Sequence, residues 1–168
     1  MSTADLPPAV VDHVGITRLQ SAYADVVTRR SWGELAELFL PDATVRIDTV
    51  TRDPFELRGP DELGTFVDEA IRRFAFFEFV ILNSHVELPR ADAPDRARAR
   101  VFMCELRRDA GSLEWSNAFG VYHDRYRRTA RGWRFERRDY RSITRTGGPV
   151  FPLDELAAER LDPALPID

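Results

Sequence analysis

The part of the chain that most constrains its fold is a long alternating stretch over residues 118–142. It reads A-F-G-V-Y-H-D-R-Y-R-R-T-A-R-G-W-R-F-E-R-R-D-Y-R-S, so that aromatic and β-branched residues alternate with arginines. Such alternation is typical of strands with one covered face and one solvated face. A turn at 129–132 divides the stretch. The sequence therefore predicts a β-hairpin, and we expect Trp133 to anchor its second strand under a helix.

Further strands are predicted upstream of this hairpin. Apolar and β-branched runs are separated by short polar segments at 91–95 and 109–112. The resulting strands are 79–88, 97–107, 113–128 and 133–143, with an earlier strand at 43–50. Four successive strands joined by short turns indicate an antiparallel meander.

Helical periodicity comes before the meander. Apolar residues recur on one face over 16–27 and predict a helix that ends near Arg30. The same period predicts a short helix over 32–39, and a third helix is predicted to begin at 59–61, where proline and acidic residues suit a helix start. Helices first and strands last, with no repeated βαβ unit, indicate an α+β fold in which helices cover one sheet face.

The length and composition fit one domain. The chain has 168 residues, of which 43% are hydrophobic, enough for a single core. We expect an N-terminal arm over 1–15, in which the proline pair at 7–8 opens a short helix, and a domain over 16–146. A proline-rich tail follows over 147–168, with one short helix predicted at 154–161.

The charge pattern excludes several function classes. All 24 basic residues are arginine, so no lysine is present for Schiff-base chemistry or a Walker-type phosphate site. The formal net charge of -4 is spread without blocks of like charge, which predicts no nucleic-acid partner. No apolar run approaches the roughly 18 residues of a membrane span, and the first residues lack signal-peptide features. We therefore expect a cytoplasmic protein with no membrane partner.

Cysteine and histidine usage points to no metal site. The single cysteine, Cys104, excludes an internal disulfide and a clustered thiolate site, and we expect it to be buried. The three histidines do not show the spacing of a metal motif. The sequence thus predicts no metal and no cofactor.

The order of elements and several short motifs resemble a known superfamily. The motifs are Tyr23-Ala24-Asp25 followed by Trp32, F-L-P-D-A-T-V-R-I-D at 39–48, Gly59, Asn83-x-x-Val86-Glu87, the stretch 95–99, and Tyr122-x-Asp124 leading into Gly132-Trp133. Together they resemble the nuclear transport factor 2-like superfamily over about 16–146, in particular its SnoaL-like branch. That branch includes polyketide cyclases, scytalone dehydratase and bile-acid dehydratase, with ketosteroid isomerase more distant.

The resemblance implies a fold and a ligand. The fold is a cone-shaped roll, in which a strongly bent, mostly antiparallel sheet and about three N-terminal helices enclose an apolar pocket. Pockets of this kind suit a small hydrophobic molecule, here a polycyclic or polyketide-like one. The resemblance also implies a homodimer formed through the outer face of the sheet.

The family's acid/base pair is absent at the matching positions. In the dehydratases an aspartate and a histidine act together, helped by tyrosines, and Tyr23 falls on the pocket tyrosine of the first helix. The aspartate position is Thr28 and the histidine position is Phe79. The resemblance to the isomerase places its base near Ile47, next to Asp48, and its pocket acid near Tyr122.

Strand alternation supplies other candidates. It places Gly120, Tyr122 and Asp124 on the side that the resemblance turns towards the pocket. Tyr122 either donates a hydrogen bond to a carbonyl or enolate oxygen, or is a core tyrosine with a satisfied hydroxyl. Asp124 is either a pocket carboxylate or the structural partner of an arginine such as Arg138.

The strand at 97–107 carries the leading replacement for the missing base. Met103 and Glu105 continue its apolar row. A buried Glu105 would have a raised pKa and would suit a general acid or base, whereas the alternative is a rim residue paired with Arg107. Asp48 has the same two alternatives. On the preceding strand, alternation places Asn83 and His85 on the side of Phe79.

Two functions remain open on this reading. The first is a cofactor-free dehydratase, isomerase or cyclase with catalytic candidates Tyr23, Asp48, Glu105, Tyr122 and Asp124. Substrate contacts are expected from Thr28, Phe79, Asn83, Met103 and Gly120. The second is a non-catalytic ligand-binding or scaffold subunit, as in ring-hydroxylating dioxygenase small subunits.

Overall fold

The computed structural model describes residues 6–152, and the predicted helix at 154–161 lies outside them. The chain begins with helix α1 (Pro8–Arg29) and a 3-10 helix (Trp32–Glu37). The remaining elements are β1 (Phe39–Asp48), β2 (Phe55–Arg58), α2 (Gly59–Ile71), β3 (Phe74–Glu87), β4 (Arg96–Asp109), β5 (Trp115–Thr129) and β6 (Gly132–Arg145). The four predicted strands of the meander are β3 to β6. Strands β4, β5 and β6 lie close to their predicted bounds, whereas β3 begins at Phe74 rather than at the predicted residue 79.

The strands form one bent sheet in the order β2-β1-β6-β5-β4-β3. The pairing of β1 with β6 is parallel, and the other pairings are antiparallel. The helices α1 and α2 and the 3-10 helix lie against its concave face, where the core is buried. The predicted α+β cone is confirmed. Within residues 6–152 no helix is long and apolar enough to cross a membrane.

Helix α1 is a single helix rather than a short opening helix followed by a longer one. Pro8 occupies its first turn, where a missing N–H costs nothing. Gly15 lies within this helix, and the Trp133 indole packs against it, so a Cβ there would lie 3.0 Å from Cδ1 of Trp133. Trp133 Nε1 also donates to buried Asp12 at 3.4 Å. Trp133 thus anchors β6 under α1, as predicted.

A β-bulge in β3 overturns one prediction. The pairing with β4 shifts by one residue between Ile81 and Asn83. Beyond this shift Ser84 faces α1, where its hydroxyl donates to Gln20 at 2.8 Å, and both Asn83 and His85 are exposed. The prediction that Asn83 and His85 share the inner side of the strand is wrong, because the extra residue reverses the alternation.

A second bulge lies in the β5–β6 hairpin. The pairing shifts between Arg125 and Tyr126, so the inward positions of β6 change from Phe135 to Arg138 and Tyr140. Strict alternation from Phe135 would have placed Arg137 and Asp139 on the inner side instead. The bulge therefore decides which β6 side chains enter the concave side of the sheet.

Candidate functional site

The concave sheet and the helices enclose a cavity of about 410 Å³. Its wall is built from α1, α2 and strands β1, β3, β4, β5 and β6, together with residues that follow β1 and α2. Most of the wall is aliphatic or aromatic, contributed by Val27, Val45, Ile47, Leu63, Phe66, Val67, Ala70, Ile71, Phe74, Phe77, Phe79 and Ala118. Such a wall favours an apolar guest, so the polar groups in it determine the chemistry.

Phenol groups on three elements line the cavity: Tyr23 on α1, Tyr122 on β5 and Tyr140 on β6. The ring centroids of Tyr23 and Tyr122 are 6.5 Å apart, and those of Tyr122 and Tyr140 are 5.2 Å apart. Burial raises the pKa of each phenol, and that of Tyr122 well above 10.0. All three hydroxyls therefore remain protonated at neutral pH and have the chemical capacity to donate a hydrogen bond.

Tyr140 is a cavity residue that the sequence reasoning missed. It lies directly opposite Tyr122 in the β5–β6 pairing. This pairing cannot be predicted by counting back from the turn, because the bulge in the hairpin shifts the register. Gly120 makes room for its ring. A Cβ on Gly120 would overlap Cε2 of Tyr140 and lie 2.9 Å from Cζ. Gly120, predicted to contact substrate, thus shapes the cavity by admitting the Tyr140 ring.

Glu105 contributes the carboxylate of the cavity wall. Burial raises its pKa above the ordinary 4.5, while Arg107 and Arg145 oppose that shift. Its Oε2 lies 3.5 Å from Nη1 of Arg107, and 24% of the side chain is accessible. The two alternatives drawn from the sequence therefore coexist: Glu105 is a desolvated carboxylate and also the partner of Arg107.

Arginines from several elements also line the cavity: Arg52, Arg73, Arg107 and Arg145. Arg107 is the most enclosed, and its Nη2 donates to the carbonyl of Asn117 at 2.9 Å. Arg145 lies at the end of β6, beyond the predicted end of that strand. Arg107 was predicted only as a partner of Glu105. Arg145 was not predicted, because β6 extends beyond the bounds that its pattern indicates.

Asp124 lies beneath the cavity wall rather than in it. Both of its oxygens accept hydrogen bonds from Arg138, at 2.8 and 2.9 Å, and the hydroxyl of Tyr126 donates to it at 2.8 Å. Asp124 and Arg138 are each 1% exposed. The structure places Asp124 in the second of its two predicted roles, the structural partner of Arg138.

The Arg138 guanidinium is stacked against the phenols of the cavity. Its Cζ lies 4.0 Å from the ring centroid of Tyr122 and 4.1 Å from that of Tyr23. Burial by itself would lower the pKa of Arg138, but the Asp124 carboxylate raises it, so the guanidinium is charged. This positive charge counteracts the effect of burial on the pKa of both phenols and strengthens them as hydrogen-bond donors.

Thr28 and Phe79, the two positions that the resemblance matches to an acid/base pair, are neighbours in space. The backbone N–H of Phe79 donates to Oγ1 of Thr28 at 3.0 Å. Phe79 lines the cavity, whereas Thr28 ties α1 to β3 from beside it. A hydroxyl bonded to a strand N–H supplies no titrating group near neutral pH, so these two positions hold the structure together here.

Two further predicted residues lie outside the cavity wall. Asp48 ends β1, where one oxygen accepts the Val50 N–H at 2.8 Å and the other lies 3.4 Å from Arg46. Val50 has a φ of 63°, so Asp48 holds a turn in the left-handed region. Met103 is fully buried in the core. Of the predicted site residues, the cavity wall combines Tyr23, Phe79, Glu105 and Tyr122.

Comparison with known proteins agrees with this architecture. The sequence model of the SnoaL-like domain matches residues 8–139. The chain belongs to the SnoaL-like family. Among residues 6–152 of this SnoaL-like protein, no group of three His, Cys, Asp or Glu side chains is arranged to hold a metal ion. No curated protein matches the chain in sequence.

Solved structures show the same fold at low sequence identity. A protein assigned as a scytalone dehydratase from Novosphingobium aromaticivorans is 20% identical, with a TM-score of 0.72 over 86% of this chain and 92% of that one. The hexachlorocyclohexane dehydrochlorinase LinA-type3 from Novosphingobium barchaimii is 20% identical, with a TM-score of 0.67 over 86% and 97%. A protein assigned as an aromatic ring hydroxylase from Novosphingobium aromaticivorans is 19% identical, with a TM-score of 0.67 over 89% and 98%. At these identities the likeness concerns the fold.

Proposed function

We propose that this SnoaL-like protein binds a hydrophobic polycyclic or polyketide-like molecule in its cavity and acts on it by cofactor-free acid/base chemistry. The proposed reaction is a dehydration, an isomerisation or a ring closure. The observation that carries the proposal is Glu105, a desolvated carboxylate with a raised pKa in an otherwise largely apolar wall. A carboxylate in such surroundings is a stronger base than one in water. Two of the structural neighbours are named for eliminations, a dehydratase and a dehydrochlorinase.

In the proposed reaction each polar group of the wall has one role. Ionised Glu105 removes a proton from a carbon next to a carbonyl or a leaving group. The developing negative charge on the substrate oxygen accepts hydrogen bonds from the phenols of Tyr122 and Tyr140, which remain protonated. Tyr23 supports Tyr122, since their rings are in edge-to-face contact. Protonated Glu105 then gives the proton to another carbon of the substrate in an isomerisation, to the hydroxyl group that departs as water in a dehydration, or to the alkoxide formed in a ring closure.

A second function is favoured by a different observation. The tie between Thr28 and Phe79 occupies the place of the family's acid/base pair. A chain that lost this pair without a replacement would be a ligand-binding or scaffold subunit with no activity of its own. The two proposals differ in whether Glu105 acts as a base, and this is what the first experiment measures.

Changing Glu105 to Gln is expected to reduce proton abstraction in the cavity about tenfold or more, because general bases contribute at least this much. The probe is 5-nitrobenzisoxazole, a small aromatic compound from which a base removes the C3 proton. The N–O bond then breaks and yields a coloured phenolate, whose absorbance gives the rate. The wild-type rate should rise with pH to a plateau, with a midpoint above 4.5, because only ionised Glu105 accepts the proton.

The matched control for this experiment is Glu69→Gln, since Glu69 is exposed on α2 and does not line the cavity. It should leave the rate and its pH profile unchanged. Circular dichroism melting of all three proteins checks that they are folded. Equal rates in the wild type and the Glu105→Gln variant would contradict the catalytic proposal and favour the ligand-binding one.

We also propose a homodimer through the outer face of the sheet. Three apolar side chains of this face are exposed: Phe76 by 40%, Leu106 by 37% and Trp115 by 61%. The rings of Phe76 and Trp115 are 5.3 Å apart, which makes them parts of one patch. Sedimentation equilibrium at micromolar concentration should give twice the chain mass, and Trp115→Asp should shift it towards the monomer. A wild-type protein that is monomeric throughout would contradict the proposal.

A further inference from the structure

The charged groups of the cavity wall are unequal in number. Among the residues that the structure describes, Arg52, Arg73, Arg107 and Arg145 line it, against the single carboxylate of Glu105. In a cavity with low-dielectric walls, an excess of positive charge attracts anions and repels cations. The charge of the wall therefore favours a guest that carries negative charge. The positions of Arg107 and Arg145 indicate where that negative charge would bind.

Arg107 is a partly buried cation whose positive charge is only incompletely balanced by its neighbours. Only 14% of its side chain is accessible, and its contact with Glu105 is 3.5 Å long. Its Nε is buried and has no hydrogen-bond partner among the described residues. Burial lowers the pKa of Arg107, and although Glu105 opposes this, Arg145 and Arg73 act in the same direction as burial. A second anion beside Arg107 would relieve this cost.

Arg145 is brought to the same place by the sheet register. Glu105 pairs with Ala118 across β4 and β5, and Ala118 pairs with Arg145 across β5 and β6. The three residues therefore form one row, in which strands are about 4.8 Å apart. The small side chain of Ala118, which itself lines the cavity, leaves open space between the two long charged ones.

We propose that the cavity binds an aromatic or polycyclic molecule that carries a carboxylate, held by Arg107 and Arg145 above Ala118. The inference rests on the pocket function proposed above and names its substrate class. Guanidinium groups match the planar fork of a carboxylate with paired hydrogen bonds. The apolar body of the guest lies against the aromatic wall formed by Phe74, Phe77 and Phe79.

The test compares 2-naphthoate with 2-naphthamide, two compounds of nearly equal size and shape of which only the first is charged. Isothermal titration calorimetry at neutral pH should show the naphthoate binding about tenfold more tightly. Arg107→Gln and Arg145→Gln should each remove most of this preference, because they should weaken naphthoate binding far more than naphthamide binding. Arg145 is exposed at a strand end, so its variant is informative even where Arg107→Gln impairs folding. The control is Arg90→Gln, a cation 66% exposed and paired with Asp92 outside the cavity.

Glu105→Gln separates this inference from the catalytic proposal. Removing the carboxylate frees Arg107 and abolishes repulsion of the guest, so naphthoate should bind several-fold more tightly to the variant that has lost proton abstraction. Equal affinity of the wild type for both compounds would overturn the inference and leave the catalytic proposal standing. Binding of neither compound would overturn both, because the cavity would then not serve as a small-molecule pocket.

Discussion

Asp124→Ala is expected to lower the free energy of unfolding by about 3–5 kcal/mol, the usual cost of breaking a buried ion pair from one side. The change leaves the Arg138 guanidinium charged and 1% exposed beneath the aromatic rings of the cavity. It also removes the acceptor of the Tyr126 hydroxyl. Urea denaturation followed by tryptophan fluorescence gives the free energy, and a loss below about 1 kcal/mol would contradict the role assigned to the pair.

Two comparisons make this result specific to a buried charge. Asp25→Ala removes a carboxylate from a surface pair with Arg29, whose side chains are 60% and 45% exposed, and should change stability little. The double variant Asp124→Leu with Arg138→Met removes both charges and should recover much of the loss, because apolar pairs of similar volume often replace buried ion pairs well. A double variant no more stable than Asp124→Ala would show that hydrogen bonding, rather than the unpaired charge, dominates.

Gly120→Ala is expected to lower the free energy of unfolding by about 3 kcal/mol, towards the upper end of the cost of overpacking a core. The added methyl would overlap the Tyr140 ring and lie 2.9 Å from its Cζ and its hydroxyl. Tyr140 is 8% exposed and already lines the cavity, so we expect a displaced ring to take up space inside it. The variant should therefore also weaken the binding of 2-naphthoate, which calorimetry measures independently of stability.

A matched glycine and a compensating change serve as controls for Gly120→Ala. Gly33→Ala adds a methyl where no atom lies within 4 Å and should have little effect on unfolding. Gly120→Ala combined with Tyr140→Leu trades the ring for a smaller side chain and should be more stable than the sum of the two single changes predicts. Strict additivity of the two changes would show that Gly120 and Tyr140 do not interact.

Much of the architecture follows from local pattern. The alternation over 118–142 specified the hairpin, because an apolar residue at every second position buries one face of a strand and leaves the other exposed. The resemblance supplied the cone, and the family match and structural neighbours confirm it. Strand β2 was not predicted: its four residues, Phe55–Arg58, are too few for a pattern and pair only with β1.

The candidate site was predicted less completely than the fold. Tyr23, Glu105 and Tyr122 lie on elements in which the inward-facing pattern is not interrupted before them. All three line the cavity, as predicted. Tyr140 and Arg145 were missed, and Asn83 was placed on the inner face in error. Each of these lies beyond a bulge or near a strand end. One inserted residue reverses every inward and outward position that follows, so errors concentrate there.

The sequence by itself determined which residues are chemically available: arginines without lysine, one cysteine, three histidines and many carboxylates. Only the tertiary structure decided which of them meet. Asp124 and Glu105 are both carboxylates on inward positions of strands, yet one is neutralised by Arg138 and the other faces the cavity. The difference arises because the bulge in β6 turns Arg138 inward opposite Asp124. The position of a bulge depends on how two strands pair, so it cannot be predicted from the sequence of β5 or of β6 alone.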